Sequence, residues 1–249
     1  MTKYFLLFAI ALVSCKKTAH KLNLAAYLSE NAALEQGDIL VFAAKAIDPE
    51  LYPQGTGNIK PTVYFHAENN ADDFKYFELK DKEEPYDYKS YKPINKYPIV
   101  IEPLFNGEVS SFSIPTENNE KFIVITYKSS DKLYVSSPIK LETNKIEKAT
   151  EDLLTITTSN NTATFTWEDK TAQSNTTYLQ LINDSTGTLI SGTYTQDKTF
   201  TTADFSNVTD RFMETNLALN PNSKYYISVI GISENNWANM LVSKVFYTH

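Results

Sequence analysis

Leu219-Asn220-Pro221-Asn222-Ser223-Lys224-Tyr225-Tyr226-Ile227-Ser228-Val229 decides the fold class of this 249-residue chain. The first half is turn chemistry, because proline fixes one backbone dihedral while asparagine and serine bond to their own backbone. The second half alternates. Tyr225, Ile227 and Val229 fall on one side, Tyr226 and Ser228 on the other, which is the period of a half-buried strand. The rest of the chain has the same texture, with Thr, Ser, Asn, Tyr, Ile and Val in short runs and few long helical stretches. An apolar share of 42% is enough for a core in each of two domains. The expectation is an all-β protein built from antiparallel sandwiches.

The pattern occurs twice. Thr62-Val-Tyr-Phe65, a polar turn and Phe74-Lys-Tyr76-Phe-Glu-Leu79 are echoed by Thr164-Phe-Thr-Trp167, a polar turn and Thr177-Tyr178-Leu-Gln-Leu181. Phe65 and Tyr76 lie 11 positions apart, as do Trp167 and Tyr178. Lys121-Phe-Ile-Val-Ile-Thr126 then echoes Lys224-Tyr-Tyr-Ile-Ser-Val229, with Phe65 to Phe122 spanning 57 positions against 58 from Trp167 to Tyr225. Two tandem sandwiches are expected, at 38–145 and 151–249, joined by a short charged and polar linker near 143–152.

The second copy resembles a fibronectin type III domain over nearly its whole length. Trp167 stands where that family has its core tryptophan, on the second strand, and Tyr178 where it has a third-strand aromatic. Leu219-Asn-Pro221-Asn-Ser-Lys-Tyr225 matches the family's Leu-x-Pro-x-x-x-Tyr corner. The resemblance implies that Trp167, Tyr178, Leu219, Pro221 and Tyr225 are core residues, and that the Tyr225 hydroxyl bonds back to the chain. The first copy has Ile114-Pro115 and Phe122 near its corner and a longer insertion, Lys80 to Pro98. It is fibronectin- or immunoglobulin-like, without the corner hydroxyl.

The N-terminus carries a different signal. Lys3 precedes a ten-residue apolar stretch, Tyr4 to Val13, too short to span a bilayer and of the size of a signal-peptide core. Leu12-Val13-Ser14-Cys15 follows and resembles a bacterial lipobox. The resemblance implies a signal peptide at 1–14, cleavage before Cys15, and acyl chains (palmitate among them) on its sulfur and new amino group. Two or three such chains anchor stably. Residues 15–37 would form the lipidated tether, although Leu24, Tyr27 and Leu28 recur at the spacing of a short helix. No aspartate follows Cys15, which points to the outer membrane and leaves its face open.

Composition excludes several classes. The net charge is −7, and one arginine, Arg211, stands against 22 lysines (23 Lys+Arg together), so nucleic acid is not an expected partner. A single cysteine allows no internal disulfide and no thiolate metal site. His20 falls in the tether and His249 is the last residue, and His66, between them, reads as a strand-end residue rather than a catalytic base. Glu68 to Asp73 could wrap a hard cation or form a solvated turn; the turn is the expectation, and no metal or cofactor is assigned. Glu78, Glu83 and Asp87 are the carboxylates a hydrolase would need, but no nucleophile motif accompanies them. Tyr86, Tyr88, Tyr91 and Tyr97 interleave with polar residues, as rings that stack on sugars or peptides do, and Trp237 falls on the loop between the last two strands. These five are the candidate ligand-binding residues. The expected function is a non-catalytic envelope lipoprotein that binds a glycan or another envelope protein, in nutrient uptake, adhesion or an outer-membrane assembly.

Overall fold

The computed structural model describes residues 23–45, 60–80, 84–95, 99–114, 120–213 and 217–249. Cys15, Tyr97, the signal peptide and the start of the tether lie outside the described residues. The fold begins with a helix, α1 (Leu24–Glu30). The strands of the first half are β1 (Glu35–Ile39), β2 (Val41–Lys45), β3 (Pro61–Phe65), β4 (Asp72–Lys80), β5 (Lys92–Pro93), β6 (Glu102–Leu104), β7 (Val109–Ser113), β8 (Lys121–Ser129), β9 (Lys132–Ser136) and β10 (Ile139–Leu141). Those of the second are β11 (Glu147–Lys148), β12 (Leu154–Ser159), β13 (Thr162–Trp167), β14 (Thr177–Asp184), β15 (Leu189–Thr195), β16 (Thr199–Thr201), β17 (Val208–Arg211), β18 (Lys224–Ile232) and β19 (Ala238–Tyr247).

They make two sandwiches. In the first, the sheet β1-β9-β8-β4-β5 faces β2-β3-β7-β6, and β10 resumes pairing with β8 after Ser137-Pro138 interrupts the last strand. In the second, β11-β19-β18-β14-β15-β17 faces β12-β13-β16. Each sandwich starts the same way. β1 runs parallel to β9 and the chain then crosses to the other sheet as β2, while β11 runs parallel to β19 and crosses as β12.

The inner faces hold the cores. Phe65, Tyr76, Phe112, Ile123, Ile125 and Tyr127 fill the first, and Phe165, Trp167, Tyr178, Tyr225, Ile227 and Val229 the second. Trp167 meets Tyr178 edge-on at 5.4 Å, and the Asn220 N–H donates to the Tyr225 hydroxyl at 2.8 Å. That bond ties the corner to the start of β18. Leu219 is buried, but Pro221 is exposed and sets the turn through its fixed backbone angle rather than by burial.

Three expectations need correction. Phe122 does not match Tyr225: it points away from the inner core, and Ile123 occupies the equivalent inward position. A one-residue slip in a strand reverses the face, so 57 positions and 58 are different statements. The tether is folded from Asn23 onward. The Asn23 side chain caps α1 through the Ala26 N–H at 2.8 Å, and Leu24 and Tyr27 are buried against Phe77, Leu79 and Val124. A seven-residue helix is too short to persist alone, so this packing holds it. The linker, expected only as a short charged and polar join, is tied down as well. The Ile146 N–H donates to Lys45 at 3.3 Å and the Ala149 N–H to Leu241 at 2.8 Å, so it is bonded to both halves.

A third buried layer lies between the sandwiches. Phe42, Ala44, Tyr64 and Val109 on the outer face of one meet Leu179, Leu181, Ile230, Ile232 and Leu241 on the outer face of the other. Each Val, Leu, Ile or Phe side chain of this layer contributes about 1.5–3 kcal/mol when fully buried.

Candidate functional site

The expected aromatic site does not assemble. Tyr91 is 0% exposed, with its hydroxyl donating to the Pro85 carbonyl at 2.7 Å, and Tyr88 is half-buried with its ring edge-on to Tyr91 at 6.0 Å. The tyrosine loop is a support for α1. Its Tyr88 and Tyr91 carbonyls accept the Ala25 and Leu24 N–H groups, which the first helical turn leaves without partners. Among the described tyrosines of this group, Tyr86 alone projects into solvent, 75% exposed. Trp237 also departs from expectation. It is 0% exposed and packs in the first sandwich's core, although it belongs to the last hairpin of the second. A large ring on a short hairpin tip is accommodated there because the neighbouring sandwich supplies a cavity for it.

Glu78 and Asp87 do not converge, and Glu83 lies outside the described residues. Glu78 bonds to the Tyr76 hydroxyl and to Lys121, while Asp87 accepts from Ser90 at 2.8 Å within its own loop. In the Glu68 to Asp73 turn, the Glu68 N–H donates to the Tyr127 hydroxyl at 3.2 Å, and Asp73 pairs with Lys75 and Lys128. Among the described residues, no three His, Cys, Asp or Glu side chains gather as a metal site would require. His66 donates through Nδ1 to the Glu108 carbonyl at 2.8 Å and stacks on Phe212 at 5.4 Å, a packing role.

A different site emerges where the sandwiches meet. The first sandwich covers only part of the outer face of β14, β18 and β19. The uncovered part holds two cross-strand rows, Lys224 beside Tyr247 and Tyr226 beside Val245, and a third row, Ser228 beside Ser243, borders the covered part with Ser228 buried. Tyr226 is 37% exposed, Val245 40% and Tyr247 56%, against near-complete burial along the rest of that face. The serine hydroxyls lie 2.8 Å apart. Over the lower rows runs a groove of about 630 Å³, within the size range of small-ligand sites.

Each wall has a local cause. One is the β14–β15 turn, Asn183-Asp-Ser-Thr-Gly187. The Asp184 carboxylate accepts the Thr186 and Thr188 N–H groups at 2.8 and 3.0 Å, and Gly187 supplies the left-handed backbone at φ +87°. The Thr186 hydroxyl and these amides hold the Asp184 carboxyl below its ordinary pKa. A second wall is Phe105, from the first sandwich. Phe105, Asn106 and Gly107 take φ values of 49°, 58° and 95° in succession. Asparagine and glycine tolerate this region, but phenylalanine there is strained by about 1–3 kcal/mol, and such strain gathers at ligand-clamping positions. Lys148, Ala149 and Glu151 of the linker close one end. Lys244 is bound to the Glu151 and Leu154 carbonyls at 3.2 and 2.9 Å.

The sequence carried a faint signal for this floor. Tyr225-Tyr226 and Val245-Phe246-Tyr247 are consecutive bulky residues, so one face of each pair had to lie outside the core.

The fold defines the class: paired β-sandwiches of fibronectin type III- and immunoglobulin-like build. No protein-family model matches the chain, and no curated protein matches it in sequence. Among solved structures, a two-domain fibronectin type III segment of chicken tenascin is similar at 11% identity and TM-score 0.33, over 76% of this chain and 93% of that one. The CD2-binding domain of CD58 is similar at 10% identity and TM-score 0.23, over 76% of this chain and 92% of that one. The sandwich assignment stands on the sheets themselves. No helix among the described residues is long and apolar enough to cross a membrane.

Proposed function

We propose that this chain is a non-catalytic binding module, held to the outer membrane of a cell envelope by acyl chains on Cys15 and accessory to uptake or adhesion. The observation that carries the reading is the shared apolar layer between the sandwiches, reinforced by Trp237. It makes a stiff body from two small domains, so a groove built from both keeps its shape without a ligand. Stiffness of this kind lowers the ordering cost of binding. The lipobox-like Leu12-Val13-Ser14-Cys15 supports the anchor.

A second reading, a structural subunit of an envelope assembly, is favoured by one surface. Thr155, Thr157, Thr164, Thr166, Thr199 and Thr201 form two cross-strand rows on the outer face of β12, β13 and β16, a grid without charge. A partner could cover it at little desolvation cost.

Mass spectrometry of protein from its native host tests the anchor, with a diacylglycerol-modified, N-terminal Cys15 expected and a Cys15→Ala chain released from membranes. An unmodified sulfur ends the reading. Protease treatment of intact cells separates the two functions: cleavage favours a surface binding module, and protection favours the assembly subunit.

A further inference from the structure

We infer that the junction groove binds a neutral oligosaccharide, with a sugar ring laid beside Tyr226 and its hydroxyls meeting Ser243 and Thr186. This rests on the reading of the chain as a binding module and names the ligand class of its groove.

Three features select this ligand. The floor combines a partly exposed tyrosine ring, with Lys224 over one face, and hydroxyls one row away, because Tyr226–Val245 and Ser228–Ser243 are successive outward rows of the same strand pair. A sugar ring has the matching composition, with apolar C–H faces bordered by hydroxyl groups, and a tyrosine ring offers apolar area with a polar edge. The charged groups do not favour an anion. Glu151 offsets one of the lining lysines, Lys244 is bound to two backbone carbonyls, and Lys224 lies over the Tyr226 ring at 4.7 Å. Arg211, the residue type suited to bidentate anion recognition, is not among the lining residues. Lastly, the groove is open and lined by both sandwiches, with Phe105, on a positive-φ backbone, and the β14–β15 turn both contributing to it. An elongated ligand can therefore enter along the sheet face while one ring is gripped from the side.

The test is isothermal titration calorimetry of the folded chain with short linear gluco-, manno- and galacto-oligosaccharides. At least one series is expected to bind, and Tyr226→Ala is expected to weaken it by at least about tenfold. Val245→Arg, at an exposed position that leaves both cores intact, is expected to block the groove to a similar extent. Tyr86→Ala, on a remote exposed tyrosine, is expected to bind as the parent does. Thermal melts of each variant establish that it is folded. Undiminished binding in both groove variants overturns the site and leaves the binding-module reading standing. No heat from any series overturns the ligand class, and the module reading is then decided by the Cys15 and protease experiments alone.

Discussion

Trp237 and Ala43 form a parallel bridge between the two sandwiches, and the Ala43 N–H donates to the neighbouring Asn236 carbonyl at 2.8 Å. One hairpin tip thus adds hydrogen bonds to the first sandwich and a ring to its core. Removing the ring should damage the sandwich that does not contain it in sequence. Trp237→Ala is expected to cost about 3–5 kcal/mol, as large core deletions do. In urea the parent should unfold in one transition and the variant in two, the first sandwich melting earlier. A single transition with an unchanged midpoint would refute the coupling.

The shared layer also predicts how the second half behaves alone. Residues 147–249, which keep β11, would without the first sandwich expose Leu179, Leu181, Ile230, Ile232 and Leu241, together with Trp237. A patch of that kind on an isolated domain drives association. Size-exclusion chromatography of this fragment should show oligomers or precipitate, whereas the full chain stays monodisperse under the same conditions. A monomeric, well-folded fragment would mean that the layer contributes little.

Much of the sandwich plan was legible because alternation and turn chemistry are local. The Trp167–Tyr178 contact and the corner at Tyr225 are what the resemblance of the second copy implied, on residues inside one domain. What lies between domains was not legible in the same way. Val41-Phe-Ala-Ala44, Val63-Tyr-Phe65 and Met240-Leu-Val242 are continuous apolar runs, the mark of strands covered on both faces, but such a run does not say what covers the second face. Tyr88, Tyr91 and Trp237 misled for a related reason. Aromatics among polar neighbours look alike whether the loop is free or lies beneath a helix or another domain. The groove needed both sandwiches in place before its floor could be told from the covered part of the same face.

The loop after Trp167 gives a pH test. The Asp169 carboxylate accepts from the Thr171 N–H and hydroxyl at 3.1 and 2.7 Å, from Asn175 at 2.9 Å and from Tyr178 at 2.9 Å. Burial works to raise its pKa, but these donors prevail and hold it below the ordinary carboxylate value. A depressed folded pKa contributes stability above the unfolded pKa, near about 4, and that contribution disappears as the pH falls through the folded value. Asp169→Asn should therefore cost about 1–2 kcal/mol at neutral pH, a figure reduced by partial exposure. The gap to the parent should close below about pH 4. Urea midpoints of both proteins across that range check it; a gap constant with pH would show that the charge is not involved.

Gly192 offers the sharpest test of the junction, because a methyl group there has nowhere to go. A Cβ at this position would lie 2.0 Å from the Phe212 ring. The ring cannot simply swing aside. It stacks on His66 of the first sandwich at 5.4 Å and meets Tyr194 edge-on at 6.4 Å. Gly192→Ala should push Phe212 off His66 and cost about 1–3 kcal/mol, the usual range for overpacking. Phe212→Ala alone loses the ring contacts, and adding Gly192→Ala to it should cost little, since the obstruction is already gone. The double-mutant cycle should therefore show a coupling of about 1 kcal/mol or more between the two positions. The His66 ring resonances should move in either single variant. Additive costs, with His66 undisturbed, would mean that Phe212 does not bridge the sandwiches.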